Sequence, residues 1–157
     1  MLHDRRPSAA MRPDLVGTLV TTAVNSFDLP RLVGVGVDVV DLVEFRHNMH
    51  VGGERWLRKV FTDVEIDDSV DRPDKADRLG TRFAAKEAVA KALGTGFRDG
   101  VSARTIEIRA ELEGAPTVRL LAPASDVARA LNVESLLVSM SRDGGCAVAV
   151  AWALSDD

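Results

Sequence analysis

The stretch from Arg82 to Gly94, Arg-Phe-Ala-Ala-Lys-Glu-Ala-Val-Ala-Lys-Ala-Leu-Gly, constrains the fold more than any other part of the chain. It is dense in strong helix formers, and Gly94 stands where a helix normally stops. The alanines at 84, 85, 88, 90 and 92 make a narrow helix that another backbone can approach closely. Glu87 and Lys91 are four residues apart and share one face, with Lys86 on a neighbouring face. A carboxylate and an ammonium so placed can form a surface ion pair, which is the commoner arrangement. They can also serve as a metal ligand and a phosphate clamp.

A second stretch supplies what such a helix could pack against. Leu32-Val-Gly-Val-Gly-Val-Asp-Val-Val40 reads as a buried strand, with Gly34 and Gly36 at alternate positions allowing close approach. Asp38 interrupts its apolar run, and a carboxylate there is costly unless paired, hydrogen-bonded or metal-bound. Asp41 and Glu44 have the offset of a capping box, predicting a helix over 42–49; a second helical piece is expected over 54–60. Thr62 and Glu65 repeat the capping pattern. The acidic, polar segment 68–77 reads as a mobile loop, followed by the long helix over 75–93 with Gly80 as its weak point. Strands are expected at 105–112 and 117–121, a short helix after Pro123, and a hairpin of 135–141 with 146–154 around Arg142-Asp-Gly-Gly145. Consecutive strands joined by tight turns give an α+β class, an antiparallel sheet with its helices on one side.

The chain is long enough, at 157 residues, for one domain with a real core. Residues 31–157 read as that domain. Residues 1–30 read as an N-terminal extension, a basic tail followed by an amphipathic helix over roughly 13–25 whose apolar positions need a packing partner. No small-residue cleavage site follows that helix, so a secretory signal is not expected. The net charge of −4 offers no global basic field for nucleic acid. No run approaches the 18 or so apolar residues of a membrane span. The single cysteine, Cys146, has no internal disulfide partner, which suits a reducing cytoplasm.

Several chemistries fail on spacing. Gly34-x-Gly36 lacks the third glycine of a dinucleotide fingerprint, no Gly-Lys-Ser/Thr P-loop exists, and no Gly-x-Ser-x-Gly elbow is present. Asp38, Glu87, Lys91 and Lys86 remain. Two carboxylates from different elements plus a lysine meet the needs of a magnesium–phosphate site, since magnesium takes few protein carboxylates and keeps waters and substrate phosphates. A strand-end cap and a surface pair remain the competing arrangement.

The residues also carry a family resemblance. Val33-Gly-Val-Gly-Val-Asp-Val-Val40 with Phe45-Arg46 resembles the first motif of the holo-acyl-carrier-protein synthase family. Phe61-Thr62, Glu65-Ile66 and Arg82 through Gly96 resemble its second, and Ser139-Met-Ser141 with the alternating Ala/Val strand its closing hairpin. The resemblance implies a phosphopantetheinyl transferase, moving the phosphopantetheine arm of coenzyme A onto a serine of an apo acyl carrier protein. It implies Asp38 and Glu87 as ligands of Mg2+, or of Mn2+ in its place, and Asp38, Glu87 and Lys91 as the catalytic set. It assigns coenzyme contacts to Lys86, Lys91, Gly94, Gly96, Ser141 and Arg142. Arg142 stands where the family commonly has histidine, and an arginine there is a permanent donor that cannot titrate near neutrality. The resemblance further implies a homotrimer with sites at subunit interfaces and a role in fatty-acid or polyketide synthesis. Carrier docking falls to the basic segment Arg46, Arg55, Arg58 and Lys59, in which Glu54 is the one acid. The rival readings are a binding module that has lost turnover and a different magnesium-dependent phosphotransferase.

Overall fold

The structure, a computed structural model, describes residues 31–110 and 115–156. The basic tail and the helix expected over 13–25 lie outside the described residues, as does the end of the strand expected over 105–112.

Strand β1 (Arg31–Asp41) leads directly into helix α1 (Leu42–Val60). Asp41 makes the transition, its Oδ1 accepting from the amides of Val43 (2.7 Å) and Glu44 (3.1 Å), which satisfies two donors of the first turn. The two helical pieces expected here are both present, separated within α1 by a break at Gly53, whose φ of 58° and ψ of −159° are not helical. Thr62 and Glu65 form the expected capping box at the start of α2 (Asp63–Asp67). Helix α3 (Lys75–Ala92) follows. A short 3-10 turn (Ala103–Thr105) then opens the hairpin of β2 (Ile106–Arg109) and β3 (Thr117–Leu120). Helix α4 (Ala124–Ala130) precedes the long hairpin of β4 (Ser135–Asp143) and β5 (Cys146–Ser155).

Strands β1, β5 and β4 form an antiparallel sheet in that order, and β2 and β3 a separate antiparallel pair. The α+β expectation with antiparallel pairing holds. Alternation sends Ala147, Ala149, Ala151 and Ala153 of β5 to the inner face, all essentially without exposure. They meet the buried alanines of α3, in one core cluster with Val89, Val138 and Ile106. Small residues on both sides bring helix and sheet together at backbone distance. A Cβ on Gly34 would lie 2.1 Å from the carbonyl oxygen of Ala92, and one on Gly36 only 1.8 Å from that of Ala88. Gly36→Ala is therefore expected to force β1 off α3, at a cost of at least about 1–3 kcal/mol. A thermal midpoint unchanged from wild type would contradict this contact.

The second core cluster lies between α1, α2 and α3, where Phe45, Leu57, Phe61, Ile66 and Leu79 are buried. Phe45 meets Trp56 and Phe61 edge-on, with ring centroids 5.6 and 6.3 Å away. Gly80, expected as the weak point of α3, is instead where α1 enters. A Cβ there would stand 2.6 Å from Leu42 and 3.1 Å from Phe45. Segment 68–74 is also more firmly held than a mobile loop. Ser69 is fully buried, its Oγ donating to the carbonyl of Glu65 (2.8 Å) and accepting from Arg82 (2.9 Å), while Asp68 pairs with the same arginine.

The outer face of the three-stranded sheet has no cover within the described residues. Val33, Val35, Val37 and Val39 of β1 are 37–62% exposed, and Leu137 and Val148 lie beside them. No helix among the described residues is long and apolar enough to cross a membrane.

Candidate active site at the crossing of β1 and α3

The close approach of β1 to α3 fixes the site. Gly34 lies against Ala92 and Gly36 against Ala88, so two residues of strand advance about one turn of helix. The next inward position on β1 is Asp38, and the helix there presents Glu87 and Lys91. Lys91 donates from Nζ to Asp38 Oδ1 (2.8 Å) and to the carbonyl of Val37 (3.0 Å). Asp38 is largely shielded while the lysine is about half exposed, so the ammonium spans from the strand to solvent. Burial, reinforced by the charge of Asp38 and opposed by Lys91, raises the Glu87 carboxyl above its ordinary range.

Asp38 and Glu87 open on a cleft of about 280 Å3 lined also by Asp41, Glu44, Asn48 and Phe83. The charge of Asp38 disfavours the charged form of Glu87, a conflict that a cation between them would relieve. No three His, Cys, Asp or Glu side chains among the described residues converge on one point. The protein thus offers a divalent ion two carboxylates and leaves its other positions to water and ligand oxygens, a donor set that fits magnesium.

The other sequence candidates divide. Lys86 is not a ligand contact. It is fully buried, with Nζ donating to Glu65 Oε2 (2.7 Å), Ala103 O (2.8 Å) and Ile106 O (2.5 Å), 5.2 Å from the Phe61 ring centre. An ammonium has three donors and all are taken inside the core. Burial lowers its pKa to about 8 against the support of Glu65. Gly94 and Gly96 follow α3 with φ of 77° and 57°, in the left-handed region, and their Cα atoms face open space. They sit just beyond Lys91 in the chain.

Ser141 and Arg142 are not brought to the cleft within one chain. Strand β5 lies between β1 and β4, which puts β4 about two strand spacings, roughly 10 Å, from β1. Ser141 pairs with Val148, and Val148 with Val39, so all three share the outer face, opposite Asp38. Arg142 lines another cavity, about 230 Å3, with Arg78, Thr81, Arg82, Met140 and Ser141. There it pairs with Asp74 and holds that carboxyl below its ordinary range. Arg78 Nε is buried beside it without an acceptor among the described residues.

In the basic segment, Arg46 pairs with Asp77 (2.6 Å), and Arg58 with Glu54 (2.8 Å) and Asp63 (3.1 Å). Arg55 and Lys59 are exposed and unpaired among the described residues, so they carry the free positive charge of this surface. The sequence reading missed Glu44 as part of the cleft. Its capping-box spacing accounted for it before any question of a site arose. It also missed Arg104, which donates to the carbonyls of Arg58 and Phe61 (2.5 Å each) and so satisfies the end of α1.

Residues 34–151 match the family described as the 4'-phosphopantetheinyl transferase superfamily, and the chain belongs to it. Among curated relatives, the holo-acyl-carrier-protein synthase of Geobacter sp. (strain M21) is 35% identical, with 76% of this chain and 95% of that protein covered. That of Shewanella amazonensis is 38% identical over 76% of this chain and 96% of its own length. Among solved structures, the Neisseria meningitidis holo-acyl-carrier-protein synthase superposes with a TM-score of 0.73 at 29% identity, covering 78% of this chain and 98% of that one. The Helicobacter pylori enzyme in complex with coenzyme A superposes at 0.67 with 27% identity, covering 77% and 99%.

Proposed function

We propose that this protein transfers the 4'-phosphopantetheine arm of coenzyme A to a serine of an apo acyl carrier protein and releases adenosine 3',5'-bisphosphate. The observation that carries this reading is the convergence of Asp38, Glu87 and Lys91 where β1 crosses α3, in a chain of this family. In the reaction the serine Oγ forms a bond to the phosphorus that bears pantetheine. The bond from that phosphorus to the bridging oxygen breaks, and the electron pair leaves with the adenosine bisphosphate.

Phosphoryl transfer needs positioning and charge stabilisation rather than a protein nucleophile. Asp38 and Glu87 would hold the divalent ion, Mg2+ or Mn2+. When bound, that ion supplies positive charge to the pyrophosphate. Lys91, already reaching from the strand to solvent, is placed to neutralise or protonate the departing phosphate. Glu87, beside Asp38 on the same cleft, is placed to accept the serine proton, directly or through a water.

The uncovered apolar face supports a homotrimer. Joining copies through Val35, Val37, Val39 and Val148 would bury that face and set Ser141 of one chain at a boundary with the next. A neighbour's Ser141 and Arg142 could then approach the Asp38 cleft, which a single chain does not permit. The unmatched Arg78 Nε is a donor that a phosphate of the coenzyme would satisfy. Sedimentation equilibrium should give three times the chain mass of 16.9 kDa, and a monomer at micromolar concentration would remove this part of the reading. The reading also implies a cytoplasmic enzyme of fatty-acid or polyketide synthesis, where coenzyme A and carrier meet.

Carrier proteins of this kind are acidic, and Arg55 and Lys59 are the free cations on α1. Replacing both with glutamate should raise KM for the carrier by about 5–30-fold, the equivalent of roughly 1–2 kcal/mol across two exposed charges. KM for coenzyme A should change less than about twofold. Equal effects on both substrates would place the carrier elsewhere.

The function itself is tested by incubating the protein with magnesium, coenzyme A and an apo carrier, then taking the intact mass of the carrier. Gain of the phosphopantetheine mass is expected. No gain with any of several carriers would leave the alternative of a binding module without turnover.

A further inference from the structure

The break at Gly53 divides α1 into two pieces that are held in place differently. The first leaves β1 directly, with Asp41 as its cap, so the sheet sets its position. The second, residues 54–60, carries the exposed cations Arg55 and Lys59 and is far too short to be a stable helix by itself. Its inner side packs through Leu57, Trp56 and Val60 onto the second core cluster. Such apolar contacts are non-directional, and they leave the carbonyls at the end of the helix to be satisfied from elsewhere.

Arg104 supplies the directional contact. One guanidinium nitrogen, Nη1, donates to the carbonyls of both Arg58 and Phe61, at 2.5 Å each, which brackets Lys59 and sets a cation at the negative end of the helix. Asp63, which accepts from Arg58 (3.1 Å), stands 3.9 Å from the other terminal nitrogen. The base of Arg104 is equally fixed. It lies in the 3-10 turn Ala103–Thr105, closed by the Ser102 amide donating to Thr105 Oγ1 (3.1 Å). Ala103 is buried, and its carbonyl accepts from Lys86 Nζ (2.8 Å). Lys86 adjoins Glu87 in the chain. A short run of hydrogen bonds therefore joins the helix of the reaction centre to the segment that bears Arg55 and Lys59.

We propose that Arg104 is a positioning residue for the acyl carrier protein: it holds the segment bearing Arg55 and Lys59 at a fixed place relative to α3. This rests on the transferase reading above, with its carrier docked on those two cations. A segment held in its bound position costs less ordering when the carrier arrives. Arg104 acts through the backbone of that segment and adds no contact of its own to the partner.

The test compares Arg104→Gln with wild type, then repeats the comparison in a protein already carrying Arg55→Glu and Lys59→Glu. Transfer to one apo acyl carrier protein is followed as mass gain. In the wild-type background, Arg104→Gln should raise KM for the carrier by about 3–10-fold, the scale of ordering a few side chains on binding. KM for coenzyme A should change less than about twofold. Amides of residues 54–60 should exchange with deuterium faster than in wild type, while those of 45–50 keep their rates. Where Arg55 and Lys59 are glutamate, the same substitution should change the carrier KM less than about twofold, because no docking cations remain to be positioned. An equal rise in both backgrounds would make Arg104 a carrier contact itself and overturn the proposal. So would an unchanged carrier KM, or unchanged exchange over 54–60. Arg104→Lys keeps the charge but not the grip of one guanidinium on two carbonyls; it should act in the same direction and serves if the glutamine variant does not fold. If Arg55→Glu with Lys59→Glu leaves the carrier KM at the wild-type value, the docking reading fails first and the role of Arg104 falls with it.

Discussion

Glu87→Gln is expected to lower phosphopantetheine transfer by at least about 100–1,000-fold, the usual consequence of removing one well-placed electrostatic group from a reaction centre. The fold should survive. Burial and the neighbouring Asp38 already disfavour the charged form of Glu87, raising its pKa in the folded state. A carboxyl with a raised folded pKa favours folding while protonated and loses that contribution as pH rises through the folded value. A neutral amide keeps the shape without the charge, so the variant should melt no lower than wild type near neutral pH. Transfer assays and a thermal melt on one preparation check both parts. Near-normal transfer by a folded variant would remove Glu87 from the reaction.

The second large effect lies away from the cleft. Lys86→Met should lower stability by about 3–5 kcal/mol, because it leaves Glu65 as an uncompensated buried charge. Glu65 cannot escape to solvent. Its Oε2 also accepts from the Thr62 amide (2.9 Å) and its Oε1 from the Ile108 amide (2.9 Å), which ties α2 to β2. Two core carbonyls, those of Ala103 and Ile106, lose their donor in the same substitution. The thermal midpoint should fall by about 10–20 °C. A drop of only a few degrees would mean that methionine packing against Phe61 offsets the lost pair, and that the buried network contributes little. The helix of the site depends on this network, because Lys86 and Glu87 are adjacent and point to opposite environments.

That adjacency shows what the sequence could and could not reveal. Alanine spacing and the cap at Gly94 were enough to place the helix, and the paired glycines of β1 offered it a strand to pack against, whereas bringing Asp38 to Glu87 and Lys91 took the family resemblance. Local signals carry such information, since helix propensity, caps and alternation each act within a few residues. The hairpin of β4 and β5 was legible for the same reason, with its turn at Gly144-Gly145. Lys86 was misjudged because its burial depends on Glu65, Ala103 and Ile106, groups that only the tertiary fold assembles around it. Gly80 was misjudged similarly. Its low helix propensity is a local property, while its use, admitting Leu42 and Phe45, belongs to the packing of α1. Arg46 and Arg58 looked like free cations until Asp77, Glu54 and Asp63 came within reach. Ser141 shows a further limit, since strand alternation turns it away from Asp38 in its own chain.

The central claim is that the crossing of β1 and α3 holds a divalent ion through Asp38 and Glu87 and presents it to coenzyme A. Manganese binding followed by electron paramagnetic resonance, with and without coenzyme A, tests this without relying on turnover. Wild-type protein should bind Mn2+ more tightly when coenzyme A is present, and Asp38→Asn and Glu87→Gln should each lose that binding while remaining folded. Undiminished Mn2+ binding by both folded variants would contradict the account.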